Sequence, residues 1–197
     1  MITIGQVEQS VMTFNGTTPG PVLTVTQGDL IEVRLENADV VEGVTIHWHG
    51  VDVPAGDDGV AGVTQDAVLP GDSFVYRFVV PDAGTYWYHS HQDSAREVRK
   101  GLFGALVVLP RQSEPEPTIR DAADMVAVVH TYGTTTTLNG RPEATIVPAP
   151  AGGVARVRFI NANNGPALVS TTVPFKVISI DGTDLSGATD VNDTYVD

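Results

Sequence analysis

Short runs rich in valine and threonine, separated by Gly, Pro, Asn and Asp, recur along the whole 197-residue chain. β-Branched residues favour strands, and the residues between the runs favour turns. Several runs alternate apolar and polar side chains, as half-buried strands do. The clearest predicted strands are 22–26, 31–35, 74–80, 105–109 and 154–160, and the best helix candidate is the short polar stretch 94–100. The pattern predicts an all-β sandwich.

The chain also contains an internal repeat. When it is shifted by 124 positions, seven residues are identical over 24 ungapped positions, including Asn15-Gly16 with Asn139-Gly140 and Asn37-Ala38 with Asn161-Ala162. Self-similarity of this length indicates two copies of one β-sandwich. We expect a first domain over 1–110, a proline-rich linker over 111–120 and a second domain over 121–197. The second copy lacks counterparts of the last strands of the first, so we expect the chain to be a piece of a longer protein.

Composition argues against several kinds of partner and several kinds of chemistry. The formal net charge of −13 at pH 7 argues against nucleic acid or an anionic membrane as a partner, because both need a basic face. The chain has no cysteine, so it has no disulfide, thiolate ligand or thiol nucleophile. No apolar run approaches the roughly 20 residues that cross a bilayer, and residues 1–10 do not have the composition of a signal peptide.

Four of the five histidines lie in two His-x-His pairs, His47 with His49 and His89 with His91. Each pair lies in a run of β-branched and aromatic residues. Because side chains alternate faces along a strand, the two histidines of a pair point the same way. If the two strands lie near each other, four imidazoles converge on one small volume. This arrangement predicts a metal site.

The donor set narrows the choice of metal. Sites made of nitrogen ligands suit copper, zinc, iron or nickel, and the lack of thiolate and carboxylate favours copper or zinc. Neighbouring strands lie about 4.8 Å apart and alternate residues about 6.6–7 Å apart, so such a face could hold two or three ions if other ligands completed them. His130 has no His-x-His partner and is expected to be structural.

Six motifs, in order over about residues 10–110, resemble the first cupredoxin domain of multicopper oxidases. They are Phe14-Asn15-Gly16 with Gly20-Pro21, His47-Trp48-His49-Gly50, Asp58-Gly59, Pro70-Gly71, Gly84-Thr85 leading into 86–91, and Gly101-Leu102-Phe103-Gly104. The second copy, with Leu138-Asn139-Gly140 and Ile160-Asn161-Ala162, resembles the copper-free middle domain of three-domain members. The resemblance implies tandem cupredoxin-like Greek-key β-sandwiches, the second incomplete.

The resemblance also implies an activity. In this family a reducing substrate, such as a phenolic compound or a metal ion, reduces a type 1 copper held by cysteine. Electrons then pass to a trinuclear copper cluster that reduces dioxygen to water. The motif match makes His47 a ligand of the type 2 copper, and His49, His89 and His91 ligands of the type 3 pair. Family members are usually exported, so the resemblance implies a periplasmic or extracellular location.

Asp58 matches the acidic residue that assists protonation near the cluster in this family. An aspartate before glycine is also typical of a turn, so a purely structural role for Asp58 stays open. The aromatic residues around the histidine pairs are expected to pack in the core and behind the ligands. They are Trp48, Tyr86, Trp87 and Tyr88.

The chain departs from the family in two respects. It has no cysteine for a type 1 copper, and the remaining cluster histidines, which the family's last domain supplies, are absent. The second copy has Thr171-Thr172-Val173 where the first has His47-Trp48-His49. We therefore expect the N-terminal portion of a multicopper oxidase, without type 1 copper and inactive unless a C-terminal cupredoxin domain joins it.

Other classes of protein fit the sequence less well. A non-catalytic copper-binding cupredoxin-like module would need the same histidines and stays open as the alternative. A cupin would follow its histidine pair with a nearby glutamate, whereas the next acid here is Asp52. A copper nitrite reductase would carry a type 1 cysteine in its first domain. A metal-free adhesion sandwich would leave both histidine pairs unexplained.

Overall fold

A computed structural model describes residues 2–4, 7–111, 123–143, 154–188 and 190–196. Within these residues the chain forms fifteen strands, one α-helix and a short 3-10 turn, so the predicted all-β architecture is confirmed. The predicted linker, 111–120, lies outside the described residues except for Arg111.

The first half of the chain forms a two-layer sandwich. Its strands are β1 (Ile2–Ile4), β2 (Val7–Gln9), β3 (Leu23–Thr26), β4 (Leu30–Glu36), β5 (His47–His49), β6 (Ser73–Val79), β7 (Gly84–His89) and β8 (Phe103–Leu109). One layer is a four-stranded sheet in the order β3-β8-β7-β5, and the other is the antiparallel pair β4–β6. The hairpin β1–β2 forms a separate two-stranded sheet, and its Ile4 packs in a buried cluster with Phe103 and Ala105 of β8. The five strands predicted from sequence all form with bounds shifted by one or two residues, four of them in this half and the fifth, predicted at 154–160, in the second half.

The core between these layers is built on aromatic residues. Trp48 is fully buried, and its ring lies 5.6 Å from that of Tyr76 and 5.0 Å from that of Phe78. The hydroxyl oxygen of Tyr76 accepts a hydrogen bond from the N–H of Ile46 at 2.8 Å. Because Trp48 points inward, its two neighbours along β5 must point to the opposite face.

The second half of the chain forms smaller sheets. Its strands are β9 (Ala123–Tyr132), β10 (Thr135–Leu138), β11 (Ala155–Asn161), β12 (Ala167–Lys176), β13 (Ser179–Ile180), β14 (Thr183–Asp184) and β15 (Asp190–Val196). The described strands pair as β10-β9-β11, β12–β15 and β13–β14. A cluster of buried side chains that includes Phe103, Val128 and Tyr132 joins this half to the first.

The internal repeat is visible in the backbone. Asn15 and its counterpart Asn139 both adopt a positive φ, 50° and 52°, at the same point of a turn. Asn37 and its counterpart Asn161 are both buried, and each side-chain amide donates hydrogen bonds to two main-chain carbonyls. The two copies thus share local structure as well as residue identities.

The helix predicted at 94–100 is α1, Ser94–Lys100. It begins shortly after the second histidine pair and ends at Gly101, whose φ of 115° lies in the left-handed region that favours glycine. His130, from β9, packs beside the end of this helix. Its Nδ1–H donates to the carbonyl of Ala162 at 2.7 Å, and its Nε2 lies 3.4 Å from the carbonyl of Arg99. These contacts give His130 a structural setting between the two halves.

Candidate metal centre

The antiparallel pairing of β5 with β7 places the histidine pairs side by side. In the register of these strands, His47 lies opposite His89 and His49 lies opposite Trp87. The His47 ring centroid lies 5.3 Å from those of His89 and His91, and the His49 and His89 centroids are 5.5 Å apart. The structure therefore brings all four predicted histidines together on one face of the sheet.

Three of these histidines form the tightest group. One ring nitrogen from each of His47, His49 and His89 lies within 4.8 Å of the others. The closest approach is between His49 Nδ1 and His89 Nε2, at 3.3 Å. Two nitrogens on one tetrahedral ion, with bonds of about 2.0–2.1 Å, lie about 3.3 Å apart. His49 and His89 are thus already spaced to share one ion, while His91 lies at the edge of the group.

Hydrogen bonds set the tautomers of two of the rings. The Nδ1–H of His47 donates to the main-chain carbonyl of Asp58 at 2.8 Å, and the Nδ1–H of His89 donates to the carbonyl of Ser90 at 2.9 Å. In each ring this leaves the Nε2 lone pair available to a metal. A hydrogen bond from the second ring nitrogen is the usual means by which proteins orient ligating histidines.

Burial keeps two of the imidazoles uncharged. It lowers the pKa of His89 to about 3, and it also lowers the pKa of His49. The neighbouring His47 lowers both pKa values further, whereas the Asp181 carboxylate raises that of His49. At neutral pH both rings are therefore in the neutral form that binds metal ions.

Asp58 lies beside His47, where the 3-10 turn Ala55–Asp57 ends. Its Oδ1 is 3.2 Å from His47 Nδ1, so both its carbonyl and its carboxylate face the same ring nitrogen. The turn brings the backbone of the next residue, Gly59, against that of Ile46, and a Cβ at Gly59 would overlap the Ile46 carbonyl. Asp58 thus occupies the predicted turn and also contacts a predicted ligand.

The cavity around the histidines has a volume of about 340 Å³. Its lining residues are His47, His49, Trp87, His89, His91, Ser94, Val98, Asn163 and Asn164. The indole of Trp87 forms one wall, with its ring 4.8 Å from that of His49 and 4.3 Å from that of His89. The predicted packing role of the aromatic residues agrees with these contacts, and Trp48, Tyr86 and Tyr88 are buried.

Sequence reasoning missed the asparagines of this cavity. Asn163 and Asn164 come from the second half of the chain, just after β11. The Asn163 side-chain oxygen accepts a hydrogen bond from the N–H of Thr131 at 2.9 Å, and its amide donates to Asn161 Oδ1, also at 2.9 Å. The one available signal was the repeated Asn-Ala dipeptide before Asn163, and it indicates a turn rather than a site.

Imidazoles clustered on adjacent strands are an arrangement that could hold a metal ion, here on a β-sandwich. The model of a multicopper oxidase family matches residues 1–113, which is more than half of the chain and contains every histidine of the cluster. The chain therefore belongs to the multicopper oxidase family. The family-level prediction from sequence is confirmed.

Individual relatives agree with this membership. An L-ascorbate oxidase from Cucumis sativus is 46% identical over 114 residues, which cover 56% of this chain and 19% of that protein. Copper resistance protein A from Escherichia coli is 42% identical over 119 residues, covering 60% of this chain and 19% of that protein. The chain thus matches about a fifth of the length of these curated relatives.

Solved structures share the fold over the whole chain. The blue copper oxidase from Nitrosomonas europaea superposes with a TM-score of 0.90 at 28% identity, covering 100% of this chain and 68% of that chain. A multicopper oxidase, mgLAC, superposes with a TM-score of 0.86 at 29% identity, covering 95% and 66%. The tandem cupredoxin-like fold is therefore that of multicopper oxidases. Among the described residues, no helix is both long and apolar enough to cross a membrane.

Proposed function

We propose that this chain is the N-terminal portion of a multicopper oxidase and supplies half of the ligands of its trinuclear copper cluster. The observation that carries the proposal is the cluster of four histidines, with His49 Nδ1 and His89 Nε2 only 3.3 Å apart. Family membership supports copper as the metal, and the all-imidazole donor set suits it. The reaction of the whole protein would couple oxidation of a phenolic compound or a metal ion to reduction of dioxygen to water.

The family resemblance implies how the ligands divide. His49 and His89, whose facing nitrogens are 3.3 Å apart, would share one ion of the type 3 pair, and His91 would bind the second. His47 would bind the type 2 ion through Nε2, since its Nδ1–H is held by Asp58. When bound, copper would supply the site for dioxygen and relay the electrons. The part of the protein is to fix the imidazoles and to keep them neutral.

Asp58 is the proposed catalytic acid of this chain. Its carbonyl and Oδ1 both face His47 Nδ1, at 2.8 and 3.2 Å, so it orients that ring. Its carboxyl is about a third exposed, so solvent reaches it. Asp58 would therefore hold and pass protons beside the cluster, and its place in the turn before Gly59 positions it to do so.

The chain as it stands does not contain a complete oxidase site. It has no cysteine for a type 1 copper, and its one other histidine, His130, is buried away from the cavity. The missing ligands would come from a C-terminal cupredoxin domain. The second candidate function, favoured by these absences, is a non-catalytic copper-binding module. Export to the periplasm or the cell exterior is part of the proposal by family resemblance alone.

Copper titration tests the proposal. We expect tight, stoichiometric binding of Cu(II) by the chain, and loss of that binding in His47→Ala and His89→Ala, because each variant removes a ligand and its anchoring hydrogen bond. We expect no oxygen consumption by this chain alone with phenolic or metal-ion donors. Binding no stronger than that of a control with its histidines scrambled would contradict both copper functions, and turnover by this chain would contradict the half-cluster assignment.

A further inference from the structure

Glu97 is a buried carboxylic acid behind the histidine cavity. Its side chain has no exposed surface, and it lies on α1 next to Val98, which lines the cavity. Burial raises the pKa of Glu97, while the Ser90 hydroxyl and the Asp93 N–H act in the opposite direction. A carboxyl is rarely buried unless its polar atoms have partners, so its neighbours bear on its role.

The contacts of Glu97 lead to the second histidine pair. Its Oε2 accepts a hydrogen bond from the N–H of Asp93 at 3.4 Å, at the start of α1. The Ser90 hydroxyl, between the two histidines of the pair, is near enough to affect the pKa of the carboxyl. Ser90 Oγ in turn accepts a hydrogen bond from the N–H of Thr45 at 3.3 Å.

Thr45 extends this network to a predicted ligand. Its Oγ1 accepts a hydrogen bond from the N–H of His91 at 3.2 Å. The β5–β7 ladder ends at the pair of His47 with His89, so the backbone at His91 lies beyond it. Beyond the ladder, the side chains of Thr45 and Ser90 connect the two segments by hydrogen bonds to main-chain N–H groups. In a low-dielectric interior such linked hydrogen bonds strengthen one another.

The two carboxyl oxygens of Glu97 have different surroundings. Oε2 accepts the hydrogen bond from the N–H of Asp93 at the start of α1, as the side chain of a helix-capping residue does. Among the described residues, none donates a hydrogen bond of ordinary geometry to Oε1. The hydrogen bond to Oε2 therefore accounts for only one oxygen of a fully buried acid, and Ser90 is the hydroxyl that acts on the pKa of that acid.

We propose that Glu97 is a positioning residue for the copper ligands: it holds the N–H of Asp93, two residues after His91, and so fixes the segment that joins the second histidine pair to α1. The inference rests on the proposed function, because it concerns the same copper site. Residues that orient metal ligands from behind typically change metal affinity by about 10–100-fold when they are replaced.

The test compares the binding of Cu(II) alone to the full 197-residue chain and its variants, by chelator competition and electron paramagnetic resonance. We expect Glu97→Leu to weaken binding of the first Cu(II) by about tenfold or more and to change its hyperfine signature. Glu97→Gln, which keeps the shape and an accepting oxygen, should restore both. The matched control is Glu42→Gln, which removes the ion pair of Glu42 with Arg96 on the same helix but does not touch Ser90.

A second variant keeps the test decisive if Glu97→Leu does not fold. Ser90→Ala should weaken Cu(II) binding in the same direction, and the two changes should combine non-additively because Ser90 and Glu97 support the same segment. Wild-type affinity and spectrum in Ser90→Ala would overturn the inference, as would an equal loss in Glu42→Gln. If the wild-type chain itself binds no Cu(II), the proposed function fails and this inference fails with it.

Discussion

At the scale of single residues, burial decides the charge of His89. With only 4% of its surface exposed, its pKa is lowered to about 3, whereas in the unfolded chain it returns to about 6.5. At a pH between about 3 and 6.5, the unfolded state therefore binds a proton at His89, and the folded state does not. Burial lowers the pKa values of His49 and His130 in the same sense. The raised pKa of Glu97 acts the other way.

The metal-free chain should therefore lose stability as the pH falls from about 6.5 towards 3. His89 alone should lower the free energy of unfolding by about 2 kcal/mol between pH 6.5 and 5.0, at about 1.4 kcal/mol per pH unit. Urea unfolding at pH 7.5 and 5.0 measures this change. His89→Gln should reduce the difference between the two pH values. Equal stability at both pH values would contradict the assignment of buried neutral imidazoles.

Gly59 offers a second prediction at this scale. Its φ of 72° and the nearby Ile46 carbonyl leave no room for a Cβ, so Gly59→Ala should cost about 2 kcal/mol or more in the free energy of unfolding. It should also weaken Cu(II) binding, because the turn carries Asp58 and Asp58 orients His47. The measurements are chemical denaturation and copper titration.

The control for this prediction lies in the same turn. A Cβ added at Gly56 would meet no other side chain or backbone within 4 Å, and Gly56 has no positive φ. Gly56→Ala should therefore be neutral or slightly stabilising. Equal effects of the two substitutions would contradict the close approach of Gly59 to Ile46.

At the scale of elements, Asn37 holds the end of β4 to the loops around it. It is buried, and its amide donates to the carbonyls of Val40 and Val68 while its Oδ1 accepts from the N–H of Val40. Asn37→Ala removes all three hydrogen bonds and leaves buried groups unpaired, so we expect a loss of about 2–3 kcal/mol. Thermal or urea unfolding measures it.

The repeat supplies a partner for this test. Asn161, at the matching position of the second copy, donates to the carbonyls of Gly165 and Val196, and Asn161→Ala should also be destabilising. Asn192→Ala, at an exposed position of β15, is the matched control and should change stability little. A neutral Asn37→Ala would contradict the role of this side chain as a structural clamp.

The elements were predictable because their signals are local. Period-2 alternation in β4 and β6 and the polar stretch that became α1 depend on residues close together in sequence. The common face of each histidine pair follows from the same alternation. The burial of Glu97 and the hydrogen bonds of Thr45 with Ser90 and His91 were not predictable, because they depend on how α1 and the strands pack together. No sequence pattern states that a helical glutamate will be buried.

At the scale of the whole molecule, the cavity depends on both halves of the chain. The histidines come from β5, β7 and the residue pair just after β7, and Asn163 and Asn164 come from the second half. The approach of the halves is set by packed side chains such as Phe103 and Val128, which are far apart in sequence. Sequence analysis therefore identified the ligand candidates but not the far wall of the cavity.

Because the chain is acidic, a copper experiment has to distinguish binding by carboxylates from binding by imidazoles. With 24 Asp and Glu residues against 11 Lys and Arg, the surface can attract Cu(II) without a built site. Affinity alone does not separate carboxylate binding from imidazole binding. The identity of the atoms around the metal does.

X-ray absorption spectroscopy at the copper edge, on the chain loaded with one equivalent of Cu(II), is the most direct test of the central claim. We predict a shell of nitrogen ligands with the multiple scattering typical of imidazole, and loss of that scattering in a His49→Ala, His89→Ala double variant. Copper surrounded by oxygen ligands in the wild-type chain, or an unchanged spectrum in the variant, would contradict the assignment of the histidine cluster as a copper site.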